Sequence, residues 1–343
     1  MPQRASHGTC SKRSPDGITF NGRIASQSRG ISECAGRHSK QACVDTRVHG
    51  AGDRDGSPRR VDIMGNPYVD DTGRTVVAVT RCKDSLKDDL ARLLADLGDL
   101  EALMTPGDRI LIKPNINSHH DAPAAVDPEF LTTFIDLLLD RGYRDLAVAE
   151  ASGRGWAPTS EVFRKKGLRP LLEQRGVPLF NLDEMDWIPV QTGGSYLPTV
   201  HIPAILEDYD RLVFMPNMKT HGNTGFTLSI KLAMGFTPQD DRALFHDTLV
   251  AGAIADLARV VRPDLVIVDG RTAFIDGGPD FGTRVEPGVL LASGDPVACD
   301  IEAVRILLQH GAGPHIGTGD PLETETIRQM GSTVPGRMTV RWS

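Results

Sequence analysis

Aromatic side chains make up only 5% of the 343 residues, and no apolar stretch approaches 18 uninterrupted residues. The first scarcity leaves few platforms for stacking bases or sugars, and the second leaves nothing that would span a membrane as a helix. Positive charge is also short: 38 Lys and Arg against 45 Asp and Glu give a net charge of −7. A general nucleic-acid binder normally carries a basic face, so nucleic acid is not an expected partner. Cysteine is sparse, five in all, with no CxxC pair and no closely spaced even set. No iron–sulfur cluster, cysteine-based zinc site or disulfide framework is therefore expected, and the usage fits a reducing cytoplasm. Three common signatures are missing as well. No GxGxxG opens a helix after the first strand, GxxxxGKS/T does not occur, and GxSxG is absent, which removes the dinucleotide fingerprint, the P-loop and the common hydrolase elbow.

What is present describes an ordinary globular chain, 40% hydrophobic and 24% charged, long enough for one large α/β domain or two modest ones. Its charge is uneven. Residues 1–63 hold 11 Lys and Arg against 6 Asp and Glu, and the remainder holds 27 against 39. That first segment is rich in Gly, Ser and Arg, shows no periodicity, and has no apolar run suited to a secretory signal. It is expected to be a disordered or spurious N-terminal extension, with Met64 as the candidate start.

From Thr75 onward short β-branched runs alternate with amphipathic segments. Leu86, Leu90, Leu93, Leu94 and Leu97 recur at helical spacing, and Asp127-Pro128 reads as an N-cap followed by proline at the first helical position. Strands are expected at 76–79, 109–113, 146–150, 211–215, 265–268 and 289–292, and helices at 84–98, 128–140, 158–175, 226–234, 248–261 and 296–309. Strands separated by helices of this length imply crossovers and a mainly parallel sheet flanked by helices. The runs Val177–Asn181, Trp187–Gln191 and Thr199–Pro203 suggest a small extended subregion near 177–206. An α/β domain over 74–331 is thus followed by a C-terminal tail or edge strand at 332–343.

Ligands of open parallel sheets sit beyond the carboxyl ends of the strands, and polar residues follow several strands here. Lys113 and Asn115 follow the second; Glu150 ends the third; Asn217, Lys219, Thr220 and His221 follow the fourth; Asp269 follows the fifth. Asp295 before Pro296 is most simply a helix cap. Lysines so close to buried strand ends face the cleft rather than bulk water, where an ammonium binds phosphate or carboxylate, or acts as a base once burial depresses its pKa. Asn115 and Asn217 lie at matching offsets, as two halves of an anion cradle. His221 is a candidate general acid/base or metal ligand, and Glu150 with Asp269 would bind a divalent cation or serve as base.

Five segments occur in a telling order: Lys113-Pro-Asn115, Pro216-Asn-Met-Lys219-Thr220-His221, Thr227…Lys231…Gly235, Val268-Asp269-Gly270 with Gly278-Pro279…Gly282, and Ala292-Ser-Gly-Asp295-Pro-Val-Ala298-Cys-Asp300. In this the chain resembles the domain of unknown function 362 family over about residues 75–330. The resemblance adds Lys231 to the candidate substrate-binding residues. It implies little about activity; many relatives carry a ferredoxin-like iron–sulfur segment that this chain lacks, and Leu232 stands where relatives typically have Asn. The expectation is a cytoplasmic enzyme, not membrane-bound, acting on a small anionic metabolite. Lys113, Asn115, Asn217, Thr220 and Lys231 would bind it, His221, Lys219 and Glu150 would act in catalysis, and Asp269 is a candidate metal ligand. Lyase, isomerase and metal-dependent hydrolase chemistry all remain open. The alternative is a non-catalytic binding or assembly protein associated with a redox or iron–sulfur system.

Overall fold

The apolar runs form strands because they can be covered on both faces. The computed structural model describes residues 66–153, 158–247, 250–317, 319–331 and 336–343; the expected N-terminal extension, 1–63, lies outside them. Strand β1 (Thr75–Arg81) leads to helix α1 (Leu86–Leu97), β2 (Ile110–Pro114), α2 (Pro128–Asp140) and β3 (Leu146–Glu150). The side chain of Ser85 accepts from the Asp88 amide to start α1, and Asp127 accepts from the Glu129 amide to start α2, each satisfying a donor that a helix leaves orphaned. Short helices α3 (Thr159–Lys165) and α4 (Leu168–Glu173) return the chain to β4 (Leu179–Asn181). Strands β5 (Trp187–Gln191) and β6 (Thr199–Pro203) form a separate antiparallel hairpin within the expected extended subregion.

The second half begins with β7 (Arg211–Met215), β8 (Asn217–His221) and β9 (Gly225–Thr227), followed by α5 (Ser229–Leu232), α6 (Gln239–Asp247) and α7 (Val250–Val260). Then come β10 (Leu265–Phe274), β11 (Arg284–Val285), β12 (Val289–Ser293), α8 (Pro296–Gln309), α9 (Gly313–Ile316), α10 (Glu325–Met330) and β13 (Met338–Trp342). The main sheet runs β13-β1-β12-β10-β7-β2-β3-β4, with β8 and β11 paired to β10 and β9 paired to β8, eleven strands in all. Alternation along each strand divides the apolar residues between two cores. Leu111, Phe214, Val266 and Val268 face α5, α7, α8 and α10; Ile110, Ile112, Leu265 and Ile267 face α1, α2, α3 and α4. The result is an α/β fold with a mostly parallel sheet between two helical layers.

Three departures from the sequence reading bear on the site. β12 is antiparallel to both β1 and β10, so Asp295 is carried to the opposite edge. There its carboxylate accepts from the Val297 and Ala298 amides and pairs with Arg262. β10 extends to Phe274, which leaves Asp269 inside a strand rather than at its end. The segment expected as a helix over 226–234 instead pairs first with β8, Lys219 opposite Thr227. Helix α5 starts only where the buried Asp300 carboxylate of α8 accepts from the Ser229 and Ile230 amides. That partner is some seventy residues away in sequence, and no local pattern announces it.

Candidate functional site

Adjacent parallel strands deliver their following residues to one rim, and the loops there are tied together. The Gly153 amide donates to the Asn117 carbonyl at 2.8 Å, and Ser152 Oγ donates to the Ile116 carbonyl at 2.8 Å. Beneath these loops lies a cavity of about 300 Å³. Lys113, Asn115, Glu150, Lys219, His221 and Lys231, all expected as site residues, line it together with Asn117, Arg242, Asp280 and Thr227. Four cationic side chains thus share one chamber with two carboxylates.

Each cation is held differently. Lys113 and Glu150 form a buried ion pair. Glu150 is fully engaged: Oε1 also accepts from the Ala151 amide at 2.7 Å, and Oε2 accepts from the Ile116 amide at 2.8 Å. Burial still presses the Lys113 amine below its ordinary range, against the pull of Glu150. The pair packs closely against Gly235, where a Cβ would lie 2.6 Å from Lys113 Nζ and displace the lysine end. Lys219 Nζ donates to three oxygens, Asn115 Oδ1, Asn117 Oδ1 and the Ala124 carbonyl. Three acceptors match the three protons of an ammonium, yet loss of hydration brings this amine down to about 7. Arg242 from α6 donates to the Ala151 and Ser152 carbonyls and pairs with Asp183. Lys231 from α5 makes no hydrogen bond or ion pair among the described residues, and burial lowers its amine to about 8.

His221 is oriented by its own turn. Nδ1 accepts from the Asn223 amide at 3.1 Å, so the neutral ring carries its proton on Nε2 and serves as a donor. Asp280, from the loop after β10, accepts from Asn117 Nδ2 at 2.8 Å.

Three expected site residues are not among those lining the cavity. Thr220 alternates with Lys219 and His221 along β8 and so faces away from them, while its carbonyl packs against Gly278. Asn217 is buried, in register with Asp269. Asp269 receives Arg271, whose guanidinium reaches it at 2.9 and 2.8 Å and also bridges to Asp127. No cluster of three His, Cys, Asp or Glu suited to a metal ion occurs among the described residues. Sequence reasoning in turn missed Asn117, Arg242 and Asp280. Asn117 stood in view beside Asn115, whereas Arg242 and Asp280 follow no strand closely enough to be noticed.

A family model described as domain of unknown function (DUF362) matches residues 110–305, a stretch that contains every residue lining the cavity. The thylakoid-associated protein sll1697 of Synechocystis sp. (strain ATCC 27184 / PCC 6803 / Kazusa) is 28% identical over 240 residues, covering 65% of this chain and 70% of that protein. No helix among the described residues is long and apolar enough to cross a membrane.

Proposed function

The chain belongs to the domain of unknown function 362 family, and on that premise we propose that its chamber binds a small carboxylate- or phosphate-bearing metabolite and acts on it by proton transfer. The observation that carries the reading is the charge of the chamber: Lys113 is paired with Glu150 and Arg242 with Asp183, which leaves Lys219 and Lys231 against Asp280. A buried surplus of positive charge is unfavourable unless an anion compensates it, which favours such a ligand. Lys113 and Arg242, fixed by Glu150 and by backbone carbonyls, supply charge in defined places. Lys219 supplies more and holds the Asn115–Ala124 loop over the chamber. His221, with its Nε2 proton, donates to a developing oxyanion. Lyase or isomerase chemistry suits this set.

We place the protein in the cytoplasm, in keeping with its free Cys82 and Cys299. Recovery of this protein with membranes on cell fractionation would overturn that placement. The binding reading is tested by melting the protein in a panel of small carboxylates and phosphates. A saturable rise with at least one of them is expected, reduced about tenfold or more in apparent affinity by Arg242→Met, the equivalent of about 1.4 kcal/mol. Unchanged melting across the whole panel would refute it.

A further inference from the structure

Resting on the anion-binding reading, we propose that Lys231 is a nucleophile and that the ligand is a small aldehyde or ketone carrying a carboxylate or phosphate, which condenses with its amine to an imine. The argument begins with how the other cations are engaged. Lys113 is paired with Glu150, Lys219 is surrounded by three carbonyl oxygens, and Arg242 is fixed by two backbone carbonyls and Asp183. Those three can attract an anion, but each would have to break existing contacts to attack a carbonyl. Lys231 lines the same chamber and has no such contact among the described residues. Its position is also one where the neutral amine is populated. Burial brings it to about 8, and only Asp280 opposes that shift. Positive charge on Lys231 in turn depresses Lys219, so the two amines stand close enough to disfavour one another's charged forms. Amines activated by dehydration are ones that form imines near neutral pH.

The step balances without an outside oxidant or reductant. The Lys231 Nζ lone pair forms the bond to the carbonyl carbon, and the carbonyl π pair moves to oxygen, which takes up a proton. The nitrogen then loses a proton to give the carbinolamine. The hydroxyl takes up a second proton and leaves as water while the nitrogen lone pair forms the C=N bond, and loss of the nitrogen's remaining proton leaves the imine. His221 and Asp280 line the same chamber, where they would deliver and remove those protons. The fixed cations hold the carboxylate or phosphate, which accounts for both the charge of the site and its single uncommitted amine.

Incubation of the full chain with glyoxylate and cyanoborohydride, followed by peptide mass mapping, tests the proposal. One carboxymethyl adduct per chain on the peptide containing Lys231 is expected, absent in Lys231→Arg, and at least about tenfold less of any adduct there with neutral acetaldehyde at the same concentration. Equal labelling of wild type and Lys231→Arg, or labelling spread over exposed lysines alone, would overturn it. Melting of the wild type with inorganic phosphate separates the two readings. A phosphate-induced rise without trapping refutes the imine and leaves anion binding standing, whereas no trapping together with unchanged melting across the whole carboxylate and phosphate panel refutes both.

Discussion

At the scale of single residues, the Lys113–Glu150 pair is where the site is most exposed to damage. Both side chains are buried, and Glu150 also satisfies two backbone amides. Glu150→Gln leaves an ammonium without its counter-charge, which costs about 3–5 kcal/mol when a buried pair is broken on one side. Denaturant unfolding should show that loss, and Lys113→Met added to it should restore a good part. The two depressed lysines make a second expectation. Below pH 7 both carry their protons folded and unfolded alike, and the cost of dehydrating them is fully present. Between their folded values of about 7 and 8 and the ordinary 10.5, the unfolded chain holds protons that the folded chain has released, so these two groups make stability rise with pH. A bound carboxylate restores the protons, so malonate affinity, followed by calorimetry, should fall as pH rises past about 8. Much of this site was legible in the chain. Lys113, Glu150 and Lys219 each close or follow a β-branched run, and parallel neighbours must bring such ends together. Arg242 was not, because it sits in a helix whose own pattern is weak and reaches the chamber through backbone carbonyls of another loop.

At the scale of elements, two substitutions separate structural from site effects. Gly278 has φ +65°, and a Cβ there would lie 1.9 Å from the Thr220 carbonyl oxygen. Gly278→Ala must push β8 and the loop carrying Asp280 apart, costing about 1–3 kcal/mol or more and weakening anion binding together with stability. Asp295→Ala removes the cap of α8 at the other edge of the sheet, costing about 1–2 kcal/mol with anion affinity unchanged. Paired melting and calorimetry on both variants check the contrast. Element type was readable wherever periodicity was strong, as in α1, α2 and β10. It failed at 226–234, because the stretch that begins α5 depends on Asp300, and at Asp269, because nothing in LVIVDG tells a strand that stops from one that continues to Phe274.

At the scale of the whole molecule, β13 closes one edge of the sheet. It lies parallel to β1, Trp342 stacks beneath the Arg81 guanidinium, and Ser343 bonds Thr80. Deleting residues 336–343 should bare the β1 edge, lower the melting temperature and promote association, which light scattering would detect. The enclosure of the cations has one more outcome. Charges on an open face are screened by dissolved ions over roughly 8 Å at physiological strength, while charges walled in by protein are screened much less. Raising potassium chloride from about 0.05 to about 0.5 M should therefore leave malonate binding nearly constant, giving the protein a grip on its ligand that survives shifts in the saltiness of its surroundings.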